Sequence, residues 1–298
     1  MKAKERYIET EYGRIWVGIY GEAQPGIPLL VVHGGPGFLS MPREICDFAD
    51  RRPVIFYDQL GCGRSDRPAT TERYTVAHYV DELALVREQL KLERLHIMGQ
   101  SWGTMLAAEY MLRRRPSGVQ SLIFSGPLLS SPLWERDQRA YLADMPAEVL
   151  RVVSAAEESG RFGDDYEEAM MEYYRRHVLR LDPWPDDVTE ALGKLNADVY
   201  LTMWGPSEFT VTGALKGADL MSRLPEIECP VLLICGEHDE AAPKTVKTYC
   251  DRIPQAEMTV LSNASHLHHL EQPVTFRAVV NDFLSRAVRG SITTEAIS

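Results

Sequence analysis

No apolar stretch in this 298-residue chain is long enough to cross a bilayer, and there is no low-complexity tract and no internal repeat. These absences exclude a helical membrane span, a disordered linker and a solenoid. The five cysteines (Cys46, Cys62, Cys229, Cys235 and Cys250) are odd in number, scattered, and lack a C-x-x-C pair. That argues for reduced thiols over a disulfide frame or a zinc site, with Cys235 as strand core. Basic residues are in deficit: 43 acidic against 32 basic leave a net charge of −11. Such a chain repels phosphate backbones and favours cationic small molecules, so nucleic acid is not an expected partner. The run Arg113, Arg114, Arg115 reads as the last turn of a helix, where positive charge complements the dipole. A signal peptide is missing too. "MKAKERYIETEYGR" starts positive, but Glu5, Glu9 and Glu11 fall where an apolar segment belongs, which predicts a mature cytoplasmic chain.

What is present is a series of short apolar runs bounded by turn residues: "PLLVVHG" (28–34), "PVIFYD" (53–58), "RLHIMG" (94–99), "QSLIFSG" (120–126), "PVLLICG" (230–236) and "MTVLSN" (258–263). Apolar on both sides, they predict buried strands. Helical stripes lie between several of them: Val76, Val80, Leu83, Val86 and Leu90; "TMLAAEYMLRR" (104–114); and Phe276, Val279, Val280, Phe283 and Ala287. The alternation predicts the α/β class, a mostly parallel central sheet with helices on both faces. It fails between 128 and 222, where helical patterns such as "PAEVLRVVSAAEESG" and "DDYEEAMMEYYRRHVLR" stand without a strand. The expected organisation is therefore a core of residues 1–127 and 223–290, an inserted helical cap at 128–222, and a polar tail at 291–298. In such folds ligands sit where the C-terminal strand ends meet their cover.

"MGQSWGT" (98–104) places Gly99, Ser101 and Gly103 in the pattern G-x-S-x-G, after an expected strand and before an expected helix. That is the context of a nucleophile elbow, in which a strained turn lifts the serine Oγ clear of the sheet while small neighbours let the chain turn. A plain Gly-rich turn is the competing reading. A serine needs a base and a carboxylate to orient it, expected in chain order Ser, acid, His. Asp239 follows "PVLLICG" and His266 follows "MTVLSNAS", each past the end of its strand. Asp58 and Asp66, in "FYDQLGCGRSD", precede the serine, the wrong order, and read as loop-ordering residues. The cluster His266, His268, His269 could also suggest a metal, but no carboxylate or cysteine set is spaced to complete a site, so no metal is expected. His269 is expected to pack or hydrogen-bond near His266. An oxyanion needs two preorganised N–H donors. Trp102, directly after the serine, supplies one, and the glycine loop "HGGPG" (33–37) the other, with Gly35 as the candidate.

These residues resemble the α/β-hydrolase superfamily and, within it, the prolyl aminopeptidase (proline iminopeptidase) family of serine peptidases. The resemblance rests on "HGGPG", "DQLGCGRSD", "GQSWG", "GEHDE", "SHLHHLEQP" and, in the cap, "MWGPSEF" (203–209), and it spans nearly the whole chain. It implies an α/β-hydrolase fold with a cap, a triad of Ser101, Asp239 and His266, and no cofactor. It further implies that Glu208 and Glu240 hold the free amino or imino group of a substrate's first residue. The chemistry is consistent, since an amine of pKa about 8 is largely protonated at neutral pH and carboxylates give it charge-assisted hydrogen bonds. Without the resemblance, Glu208 reads as a solvated cap residue and Glu240 as the cap of a helix starting near Pro243. Position 104 departs from the family pattern, being threonine where many members carry glycine or serine, and little effect is expected from it. The expected substrates are short peptides or amino-acid amides with a free N-terminus; the elbow and "EHDEAAP" also resemble amidases acting on prolinamide. Trp184, Tyr200, Trp204 and Phe209 either line a slot for a proline ring or form cap core. A general carboxylesterase or lipase predicts dispensable glutamates, an epoxide hydrolase an aspartate in place of Ser101, and a non-enzymatic scaffold a dispensable Ser101. The sequence leaves the oligomeric state open.

Overall fold

The computed structural model describes residues 2–295, with side chains as far as residue 287. The chain opens with a hairpin, β1 (Lys4–Thr10) and β2 (Gly13–Tyr20). It continues through β3 (Leu29–Val32), β4 (Val54–Tyr57), β5 (Leu95–Gln100), β6 (Val119–Ser125), β7 (Val231–Gly236) and β8 (Ala256–Leu261). All eight form one sheet in the order β1-β2-β4-β3-β5-β6-β7-β8, antiparallel at β1-β2 and β2-β4 and parallel beyond. Six strands are the apolar runs of the sequence. The hairpin is additional, because β1 exposes most of its residues and so carries no apolar run.

Alternation along the parallel strands builds two cores. Leu30, Val32, Ile97, Leu122, Phe124 and Leu233 face one side and Leu29, Val31, Met98, Ile123, Leu232 and Ile234 the other, all buried. Helices α1 (Val76–Gln89) and α2 (Trp102–Arg114) cover the first side. The second is covered by a 3₁₀ segment (Arg43–Asp50) and the last helix. No helix among the described residues is long and apolar enough to cross a membrane. Arg113, Arg114 and Arg115 each pair with an acid, respectively Glu109, Asp81 and Glu226.

Between β6 and β7 the chain makes five α-helices: α3 (Ser131–Ala143), α4 (Ala147–Ser159), α5 (Asp164–His177), α6 (Asp186–Gly193) and α7 (Ala197–Met203). The acids of the first turn of α5 and the basic residues of its last turn both complement its dipole. This segment packs a small core of its own around Leu142, Val149, Val153, Met170, Tyr173 and Phe209. After β7 come α8 (Pro243–Cys250), α9 (His268–Glu271) and α10 (Pro273–Glu295). Of the tail expected at 291–298, residues 291–295 continue α10, and 296–298 lie outside the described residues.

The order of β3, β4 and β5 sets the functional crevice. From β3 the chain crosses to β4 on one side and then to β5 on the other, so a cleft opens beyond the C-terminal ends of β3 and β5. The loops at 33–37 and 100–102 start there.

One buried acid stands apart from this cleft. Glu82 of α1 accepts the Leu60 N–H at 3.0 Å, while its other oxygen and the nearby Tyr57 hydroxyl are buried without partners. Burial lifts its carboxyl pKa to about 8. The folded state therefore keeps a proton that the unfolded chain gives up near its ordinary value of 4.5. The associated stability is complete below that value and is lost as pH rises toward 8. Glu82→Gln keeps the acceptor and removes the titration. Its advantage over wild type in thermal unfolding should grow between pH 5 and pH 8, to a few kcal/mol on the order-of-magnitude scale. Parallel pH dependence in the two proteins would count against a protonated Glu82.

Candidate active site

Ser101 sits between β5 and α2 with φ 51° and ψ −122°, a left-handed backbone that non-glycine residues rarely adopt. The glycines around it are there for space. A Cβ on Gly99 would come 2.5 Å from the Gly103 carbonyl, and one on Gly103 would come 2.2 Å from that of Val32. The Ser101 N–H donates to the Ser125 carbonyl at 2.9 Å, pinning the turn to β6. Thr104 does more than the sequence suggests: its hydroxyl donates to the Ser101 carbonyl at 2.7 Å and accepts the Leu128 N–H at 2.9 Å. It thus joins the elbow to the start of the inserted segment.

Asp239 and His266 come together from the ends of β7 and β8. His266 Nδ1 lies 2.7 Å from Asp239 Oδ1, and the fully buried carboxylate also accepts the N–H groups of Gly236 (3.0 Å) and Ala241 (2.8 Å). Burial alone would raise the Asp239 pKa; the charge and hydrogen bond of His266, with a smaller share from His268, outweigh it and hold the carboxyl well below the usual range. Two contributors to this corner have no motif in the sequence. Gly126, at φ 58°, leaves room for the imidazole, since a Cβ there would lie 2.5 Å from His266 Cε1. Trp134 of α3 packs edge-on against the ring at 6.0 Å between centroids.

The three clustered histidines face different ways. His268 lies 3.4 Å from Asp239 Oδ2 by Nδ1 and 2.8 Å from Ser125 Oγ by Nε2, so it, rather than His269, makes the polar contact beside the acid. His269 is buried with neither ring nitrogen bonded and packs on Phe276; burial lowers its pKa to about 3, so it is neutral.

The loop after β3 is tied to the elbow by a chain of hydrogen bonds. The Trp102 indole N–H donates to Gln59 Oε1 at 2.9 Å, and Gln59 Nε2 donates to the His33 carbonyl at 3.1 Å. The Gln59 amide donates to His33 Nε2 at 3.0 Å, which makes His33 Nδ1 the protonated nitrogen, and that donates to the Gly34 carbonyl at 2.8 Å. Gly34 runs closest to the serine, a Cβ on it falling 3.1 Å from Ser101 Cβ, while Gly35, at φ 112°, lines the same cavity. The amide of Trp102 is in the first turn of α2, where N–H groups have no intrahelical acceptor. Asp58 accepts from Ser40 N–H and from the amide and guanidinium of Arg64, and Asp66 pairs with Arg14. Both lie in the loop network.

A cavity of about 160 Å³ opens over Ser101, comparable to one that holds a six-membered ring. Gly34, Gly35, His266, Glu208 and Glu240 share its wall. Of the four cap aromatics, Trp184 and Tyr200 line it, whereas Trp204 and Phe209 are packed away from solvent. Glu208 accepts the Tyr200 hydroxyl at 2.7 Å. Its carboxyl pKa is raised by burial, against the opposing pull of Tyr200, Trp134 and His266. Glu240 does not cap α8, whose N-cap is Ala242 without a side-chain bond. Instead Glu240 Oε1 lies 3.3 Å from His266 Nε2, and Oε2 is buried without a partner. Neither glutamate pairs with a lysine or arginine among the described residues.

The inserted segment holds both sides of this cavity. The His177 carbonyl, at the end of α5, accepts the N–H of Glu240 (3.3 Å) and that of His266 (3.0 Å). Gln138 Nε2 donates to the Glu240 carbonyl at 2.8 Å. Asn196, the N-cap of α7, donates its backbone N–H to Gly37 O at 2.9 Å and its side-chain N–H to Gly61 O at 2.8 Å.

A mostly parallel sheet, a strained serine after β5 and an acid and a histidine after β7 and β8 define an α/β hydrolase. The family model described as alpha/beta hydrolase fold matches residues 27–273, and the chain belongs to that family. Within it the chain stands with the proline iminopeptidases. It is 43% identical to the proline iminopeptidase of Heyndrickxia coagulans over 94% of this chain and 98% of that one. The crystal structure of the Mycobacterium smegmatis proline iminopeptidase superposes with a TM-score of 0.86 at 38% identity, covering 97% of this chain and all of that one. The crystal structure of VinJ gives a TM-score of 0.92 at 32% identity over 96% of this chain and all of its own.

Proposed function

We propose that this chain is a serine-type aminopeptidase that releases the N-terminal residue, preferentially proline, from short peptides through an acyl-enzyme. Ser101 Oγ attacks the carbonyl of the first residue, and His266 Nε2 takes its proton and passes it to the leaving amine. Asp239 fixes the imidazole through Nδ1. The amides of Trp102 and Gly35 receive the oxyanion, and water then attacks the acyl-enzyme. Residues 128–222 serve as a cap that closes the site beyond the first residue.

The observation that carries the substrate class is the pair of cavity carboxylates, Glu208 and Glu240, which have no lysine or arginine partner among the described residues. Burying two such groups is costly unless a cation joins them. A protonated N-terminal amine, the secondary amine of proline included, held beside Ser101, is that cation. The net charge of −11 supports its approach. Proline preference is supported by the cavity's size, by Trp184 and Tyr200 in its wall, and by the names of the relatives.

Glu208→Gln tests the assignment at a distance from the triad. Losing one charge-assisted contact should cost about 2–3 kcal/mol, roughly a 30- to 150-fold fall in kcat/KM, on a proline arylamide with a free imino group. Hydrolysis of a neutral arylester should stay within a fewfold of wild type. Equal losses on both substrates would assign Glu208 to the architecture of the site rather than to amine recognition.

A further inference from the structure

His266 meets a carboxylate at each ring nitrogen: Asp239 at Nδ1 (2.7 Å) and Glu240 at Nε2 (3.3 Å). A carboxylate near each ring nitrogen favours the doubly protonated imidazolium, because both negative charges stabilise the positive ring. In that form the Nε2 lone pair is bound to a proton. In this arrangement His266 has no free lone pair with which to deprotonate Ser101.

We propose that Glu240 is a brake on the catalytic base, released when the substrate's primary or secondary ammonium group takes the place of the proton that Glu240 holds on His266. The inference rests on the aminopeptidase reading given above. Its balance is simple: one substrate cation enters, its N–H groups turn to Glu240 and Glu208, and one proton leaves His266 and Glu240 for solvent. The charge of the pocket is conserved, and neutral His266 regains its Nε2 lone pair. The unpartnered Oε2 of Glu240 provides the acceptor to which the cation can bind. Selection for a free N-terminus then acts on the chemical step as well as on binding, because a blocked substrate leaves the brake in place.

The surroundings are consistent. Burial would lower the His266 pKa, but Glu240, Asp239 and Glu208 together raise it to about 9. Burial is the main force raising that of Glu240, with Glu208 and Asp239 adding to it and His266 opposing. The other groups facing the pair are His268, on the far oxygen of Asp239, and His177, whose Nδ1 meets the His238 carbonyl and whose pKa is lowered by burial. Tyr141, Tyr173 and Tyr174 also face it and are pushed up by burial, so they remain neutral.

The test uses wild-type protein and pyrrolidinium as the probe cation, with binding followed by calorimetry at pH 7.5 in two buffers of different ionisation enthalpy. The expected result is release of close to one proton per pyrrolidinium bound. Binding without proton release overturns the brake and leaves amine recognition standing. Absence of binding at millimolar pyrrolidinium overturns both. A second measurement follows kcat/KM for a neutral arylester against pH. In Glu240→Gln the acidic limb should move to lower pH than in wild type, with a gain in kcat/KM at pH 7. An unmoved limb in a folded variant overturns the brake, whatever the variant does to free-amine substrates.

Discussion

Ser101→Ala should lower kcat on a free-imino proline arylamide by about 10⁴- to 10⁶-fold while leaving the fold intact. In the proposed mechanism the side chain is the nucleophile, and no other hydroxyl among the described residues stands at a strained turn between a strand end and a helix in this cavity. The backbone bond that pins the turn, from Ser101 N–H to the Ser125 carbonyl, survives the substitution. The glycines that make the turn possible are untouched, so the melting temperature should match wild type. Residual turnover near the wild-type rate would remove Ser101 from the mechanism and revive a non-enzymatic or unrelated role for the fold.

Asp239→Asn should come close behind, with kcat reduced by about 10⁴-fold. Asp239 is an acceptor in every contact it makes: His266 Nδ1, two backbone N–H groups and the approach of His268. An amide cannot accept in all of these, and its NH₂ facing His266 would favour the tautomer with the proton on Nε2, the wrong nitrogen for a base. The wild-type group adds a pH signature. Its folded pKa lies below the ordinary value of 3.8, so the stability it contributes is present above that value and is lost on acidification through the lower folded one. The acid-unfolding limb of Asp239→Asn should therefore be shallower than that of wild type. A variant with unchanged kcat would separate Asp239 from the base it touches.

The sequence makes the chemistry more legible than the architecture that supports it. Buried parallel strands are continuous apolar runs, so β3 to β8 can be read directly, and the candidate catalytic groups at their ends inherit that clarity. The β1-β2 hairpin escapes because its outer strand is largely solvated and pairs through backbone bonds that carry no side-chain signature. In the inserted segment, α4 and α5 have helical periodicity, whereas α6 and α7 are short and held by contacts with the core, such as Asn196 with Gly37 and Gly61. The position of Glu240 depends on the His177 carbonyl, a backbone group from a distant helix that no residue pattern encodes. Gly126 and Trp134 are likewise invisible, since each matters only through its distance to the His266 ring. Thr104 is the instructive residue. It lies beyond the strictly small elbow positions, yet its hydroxyl joins the elbow to Leu128.

The central claim is that the cavity reads a positive N-terminus before Ser101 attacks. The measurement that bears on it most directly compares kcat/KM for a proline arylamide with its imino group free and for the same compound acetylated on nitrogen. The account predicts that the free form is cleaved faster by roughly a hundredfold or more, given two charge-assisted contacts. Equal cleavage of the acetylated compound would contradict it and return the chain to the general acyl hydrolases of its fold.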